Sequence, residues 1–178
     1  LCLRMMDRPP AALSSLVAGT LDRPLSADVR AMADHVLSRH ETAAAILAYG
    51  SCLRGVGTDE SLIDLYVLVQ HDRDVSANPV SRLGARLAPP NVYYAETLHE
   101  GRVLRCKYAV VSLAVFAARM LPETTNPYFW ARFAQPAGLV HVASEESRAH
   151  VVAAVAQAVT TMYRAALASA PSHSAAAD

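Results

Sequence analysis

Hydrophobic positions recur along this chain in two rhythms, a helical spacing of three to four residues and short unbroken runs, and each rhythm predicts a different element. From Pro9 to Thr20 the spacing of Ala11, Leu13, Leu16 and Val17 predicts a short helix. Ser26 has the chemistry of an N-cap for a second helix running to about His40, with Val29, Met32, Val36 and Leu37 as its buried stripe. Ala43 to Tyr49 is a continuous apolar run ended by Gly50, which predicts a buried strand leading into a tight turn. Leu62 to Val69 is a second such run, and Asp64 is its only charge.

Ser76 to Leu87 has helical spacing and is stopped by Pro89 and Pro90. Asn91 to His99 and Val103 to Val111 predict two strands joined by a hairpin turn at Glu100-Gly101. With that loop, cross-strand partners sum to 201, so Tyr94 faces Lys107, Glu96 faces Arg105, and all four side chains share one face. Ser112 then caps a short helix ending near Met120, Pro127 to Phe133 forms another, and Gly138 to Val142 is the last strand. The final helix has Ser144 as its cap and Glu145 and Glu146 in its first turn. Its stripe is Val151, Val152, Val155, Val159 and Met162.

This order of elements predicts an α/β (α+β) fold, a mixed sheet of about four to five strands flanked by helices in one domain over residues 9–168. Residues 1–8 are expected to be disordered or extraneous to the domain, and the Ser-, Pro- and Ala-rich tail 169–178 to be disordered. No internal repeat is visible.

Composition narrows the function classes. Sixteen basic residues balance sixteen acidic ones among 178, which removes the electrostatic footprint of a dedicated nucleic-acid binder or a polybasic membrane anchor. Three cysteines, Cys2, Cys52 and Cys106, have neither disulfide-framework nor zinc spacing and suit a reducing cytoplasm. No apolar run approaches the roughly 20 residues that span a bilayer. The seven histidines show no metal-ligand spacing, and no histidine is placed to activate Ser51 as a nucleophile. Fifteen of the sixteen basic residues are arginine, so the single lysine, Lys107, stands out.

The chemistry concentrates between residues 49 and 69. At Gly50 the missing side chain lets backbone amides approach a phosphate, and Ser51 adds a hydroxyl donor. Asp64, a lone carboxylate in an apolar strand, needs a metal, an arginine such as Arg54, or hydrogen bonds. A divalent cation bridging phosphates would satisfy it. Lys107 could bind a triphosphate and stabilise charge as pyrophosphate leaves, or could simply snorkel from a half-exposed strand. Glu96 could join Asp64 on the metal, as could Asp59 or Glu60, or it could pair with Arg105 across the hairpin.

Gly50-Ser51, Arg54-Gly55 and Ser61-x-x-Asp64 resemble the signature of the polymerase-beta type nucleotidyltransferase superfamily. The first carboxylate of that signature falls at Leu62, and Asp64 matches the second. A narrower resemblance, from about residue 46 to 165, is to the mitochondrial translocator-maintenance type of phosphatidate cytidylyltransferase. It rests on Tyr49-Gly50-Ser51 and on Asp64 after a hydrophobic residue. It rests also on Val92-Tyr93-Tyr94, Gly101-Arg102, Lys107-Tyr108-Ala109-Val110-Val111-Ser112, and Trp130-Ala131-Arg132 with Pro136. The family's histidine-tyrosine-serine stretch is missing, with only Asn78 matching nearby; its lysine before the late proline is Gln135, and its C-terminal helical domain has no counterpart in these residues.

The resemblance implies Mg²⁺-dependent transfer of a cytidylyl group from CTP to a phosphate-bearing acceptor, foremost phosphatidic acid, giving CDP-diacylglycerol and pyrophosphate. It implies Asp64 and Lys107 as catalytic, Tyr49, Gly50, Ser51, Arg54, Arg102, Tyr108 and Arg132 as nucleotide-binding, and Asp64, with Glu96 in place of the missing acid, as metal ligands. It also implies a cytoplasmic protein in transient contact with the inner face of a membrane. Two alternatives stand beside it: the same transfer to another small-molecule or protein acceptor, and a nucleotide-binding module weakened in chemistry, as Leu62 suggests.

Overall fold

The computed structural model describes residues 9–54, 62–75, 91–124 and 126–169. The helix expected over Ser76–Leu87, both chain ends, and Gly55, Asp59, Glu60 and Asn78 lie outside the described residues.

Five strands form one mixed sheet: β1 (Ala43–Tyr49), β2 (Ile63–Val69), β3 (Asn91–His99), β4 (Arg102–Ser112) and β5 (Ala137–Val142), in the order β3-β4-β2-β1-β5. β2 and β4 run parallel, and the other neighbouring pairs are antiparallel. The central strands β1 and β2 are buried almost throughout, as their unbroken apolar runs require when both faces are covered. The hairpin register is the expected one, with Tyr94 opposite Lys107 and Glu96 opposite Arg105. Glu100 and Gly101 take the left-handed conformation of such a tight turn, at φ 49° and 77°.

One face of the sheet is covered by α1 (Ala11–Leu21), α3 (Leu113–Ala118), α4 (Tyr128–Phe133) and α5 (Glu145–Ser169), which enclose a core around Leu47, Tyr66, Phe116 and Phe133. α2 (Ala27–Leu37) covers the other face, with Val29, Met32 and Val36 packed on Ile46, Leu65 and Val67. The predicted caps form: Ser26, Ser112 and Ser144 each accept a hydrogen bond from the backbone N–H three residues on. α2 ends at Leu37, short of the expected His40.

α5 is, among the described residues, the one helix whose length and composition would allow it to cross a membrane. In the fold it buries Val151, Ala154, Val155, Ala158 and Thr161. Met162, expected in that stripe, is exposed because the buried face passes through Thr161, whose hydroxyl donates to the Met120 carbonyl at 2.7 Å.

Candidate functional site

The apolar run of β1 stops at Tyr49, and the chain reverses through a 3-10 turn, Gly50–Arg54. Gly50 opens the turn at φ 80°, a left-handed conformation that favours glycine. A Cβ on Gly50 would lie 3.4 Å from Asp64 Oδ2, so the turn and the acid are immediate neighbours. Cys52 anchors the turn to β1: its thiol donates to the Tyr49 carbonyl at 3.1 Å. Gly50 and Ser51 remain exposed.

The sheet registers draw a row of side chains through Asp64. Tyr49 on β1 is paired with Asp64 on β2, Asp64 with Lys107 on β4, and Lys107 with Tyr94 on β3. Directly opposed residues share a face, so the acid has a phenol on one flank and an ammonium on the other. Helical cover ends at this row: Lys107 and Tyr94 are exposed, Asp64 is half-buried, and Tyr49 is buried.

Arg132, in the last turn of α4, completes the group. Its guanidinium lies between two rings, 4.6 Å from the centre of Tyr49 and 4.7 Å from that of Tyr128. Cation–π contact with both rings restrains the position of the charge. Its Nε is buried without a hydrogen-bond partner.

Burial raises the Asp64 carboxyl above its ordinary range, while Lys107 and then Arg132 pull it back down. Burial also pushes the Tyr49 phenol up, and the adjacent Asp64 adds to the effect. Among the described residues, no basic side chain is in ion-pair contact with Asp64. The site is therefore a recessed acid flanked by two nearby positive charges and an exposed turn.

Three expected members stand elsewhere. Arg102 and Tyr108 are separated from Lys107 by odd numbers of strand residues, which turns both to the opposite face. Arg102 makes a two-pronged bond to Asp28 of α2, at 3.0 and 3.1 Å. Tyr108 is buried against His40 and stacked on Tyr93, with ring centres 5.4 Å apart. Glu96 shares the face of Asp64 but lies two strands away, roughly 10 Å in lateral distance alone. It is held by Tyr94 Oη at 2.7 Å and Arg105 Nε at 3.1 Å, which is the cross-strand pairing weighed against a metal role.

Among the described residues no three His, Cys, Asp or Glu side chains gather into a metal cage. Arg54 closes the turn, and its side chain lies outside the described residues.

Sequence reasoning missed a cavity of about 360 Å³ on the β5 side of the turn. Tyr49, Gly50 and Arg132 line it, together with Arg23 and Leu25 from the segment between α1 and α2. Gly138 favours this packing: a Cβ there would lie 2.7 Å from Leu25 Cδ2, so the Leu25 side chain would have to shift to make room for it. The glycine was the one trace of this packing in the sequence.

Compared with known proteins, the chain matches no family model and no curated protein.

Proposed function

We propose that this protein is a nucleotidyltransferase that binds CTP with Mg²⁺ at the Gly50 turn and Asp64 and transfers the cytidylyl group to a phosphate-bearing acceptor, foremost phosphatidic acid. The observation that carries the reading is the contact between Gly50 and Asp64, with Lys107 in register beside the acid. A phosphate chain lying against the turn meets backbone and the Ser51 hydroxyl on one side and positive charge on the other. The motif resemblance supports CTP as the donor.

The donor set fits Mg²⁺. A single recessed carboxylate beside an open turn leaves the other coordination positions to water and phosphate oxygens, the arrangement this ion favours. Bound there, Mg²⁺ would withdraw charge from the phosphate oxygens around the reacting phosphorus.

The chain's own work is alignment and charge stabilisation. Asp64 orients the charged end of the nucleotide, and the turn fixes its depth. An oxygen of the acceptor's phosphate bonds to the α-phosphorus as the α–β bridging bond breaks, and pyrophosphate leaves with that electron pair. Lys107 neutralises the charge gathering on the leaving group. The acceptor oxygen is already anionic at neutral pH, so no general base is required, in keeping with a site to which no histidine among the described residues is brought.

Incubation with labelled CTP, Mg²⁺ and phosphatidic acid tests the proposal. CDP-diacylglycerol and pyrophosphate should form, and Asp64→Asn should lower the rate by on the order of a hundredfold or more. Full activity in that variant, or no CTP binding by the parent chain, would overturn it.

A further inference from the structure

The cavity beside Gly50 is separate from the Lys107 flank of Asp64, and its chemistry is distinct. Two arginines, Arg23 and Arg132, line it, and among the described residues no carboxylate does. Its volume, about 360 Å³, lies at the small end of the range for small-ligand sites. The Arg132 guanidinium is clamped between Tyr49 and Tyr128, and its Nε is buried without a partner, so a fixed cation with unused hydrogen-bonding capacity borders the space. Arginine offers a planar fork that matches phosphate, and no acid among the described lining residues competes for it. Gly138 and Leu25, packed closely on each other, also line it.

We propose that this cavity is the acceptor site, receiving the phosphate of a phosphate monoester between Arg23 and Arg132. This rests on the nucleotidyl-transfer reading and extends it by assigning the two substrates to opposite flanks of Asp64. The triphosphate takes the Lys107 side. The acceptor enters from the β5 side, and one of its phosphate oxygens attacks the α-phosphorus while pyrophosphate departs on the far side. The same chemistry recognises a soluble monoester or the headgroup of a lipid.

The test uses the full chain and calorimetric titration with three separate probes: CTP with Mg²⁺, glycerol 3-phosphate, and dispersed dioctanoyl phosphatidic acid. Arg23→Gln is the variant, since Arg23 is exposed and its replacement leaves the core intact. The expected result is that one or both monoesters bind the parent chain, that Arg23→Gln weakens this binding by roughly tenfold or more, and that CTP affinity stays within about twofold. Preference between the two monoesters identifies a soluble or a lipid acceptor. Monoester binding unchanged by the substitution, no monoester binding at all, or an equal loss of CTP affinity would overturn the assignment. Failure of the parent chain to bind CTP, with Arg23-dependent monoester binding intact, would instead remove the nucleotidyl-transfer reading and leave a phosphate-monoester site.

Discussion

Asp64 is the residue on which pH should act most directly. Burial raises its carboxyl above the ordinary 3.8, so the folded chain binds this proton more tightly than the unfolded chain. The resulting stabilisation is complete below the unfolded value and is lost as pH rises through the folded one. At neutral pH the ionised side chain therefore weakens the fold while serving the site. Asp64→Asn should melt at or above the parent temperature near pH 7, and the difference should close towards about pH 4, as read by thermal unfolding across that range. Mg²⁺-dependent CTP binding by the parent should fall over the same interval as pH is lowered, because the protonated acid is no longer a ligand.

Gly50 supplies a second expectation at this scale. Gly50→Ala forces a side chain into a left-handed backbone, at a cost of about 1–2 kcal/mol in chemical denaturation, and sets a methyl group against Asp64. Both Asp64 and Gly50 were legible in the sequence, one as the only charge in an apolar run and the other as that run's terminator. Arg102 and Tyr108 share motif positions with the site, but strand alternation turns both to the opposite face of the sheet from Lys107. Tyr108 adjoins Lys107 and could not share its face.

At the scale of elements, the β3–β4 hairpin was readable in full because a two-residue turn fixes every pairing that follows it. That register also settles Glu96, which its own neighbours occupy. Tyr94 and Arg105 hold the Glu96 carboxyl below its usual range, a sign that its charge is already served within the hairpin. Glu96→Gln should leave the Mg²⁺ requirement for CTP binding unchanged. A double-mutant cycle with Arg105→Ala should show only weak coupling, as expected of a solvent-exposed ion pair. A lost metal requirement in Glu96→Gln would return this acid to the site. The cavity at β5 escaped sequence reading for the converse reason: it arises where the segment after α1 meets a strand more than a hundred residues later, and no local pattern records such a meeting.

Across the whole molecule, α4 joins the hydrophobic core to the site. Phe133 is fully buried and meets Tyr49, Tyr66 and Phe116 edge to face, while its neighbour Arg132 borders the cavity. Phe133→Ala should cost about 3–5 kcal/mol in equilibrium unfolding. It should also weaken monoester binding, since the ring beneath Arg132 loses its support; Phe133→Leu should recover much of both.

The parallel pairing of β2 with β4 has a consequence for how reliably the molecule is assembled. One register both interleaves the inner layer and brings Asp64 level with Lys107. Were the two ribbons to dock a single residue out of step, the ammonium would be thrust among aliphatic groups, and such a product could not persist. Correct juxtaposition of the two charges is thus proofread by collapse itself, and copies that survive folding should emerge with uniform competence.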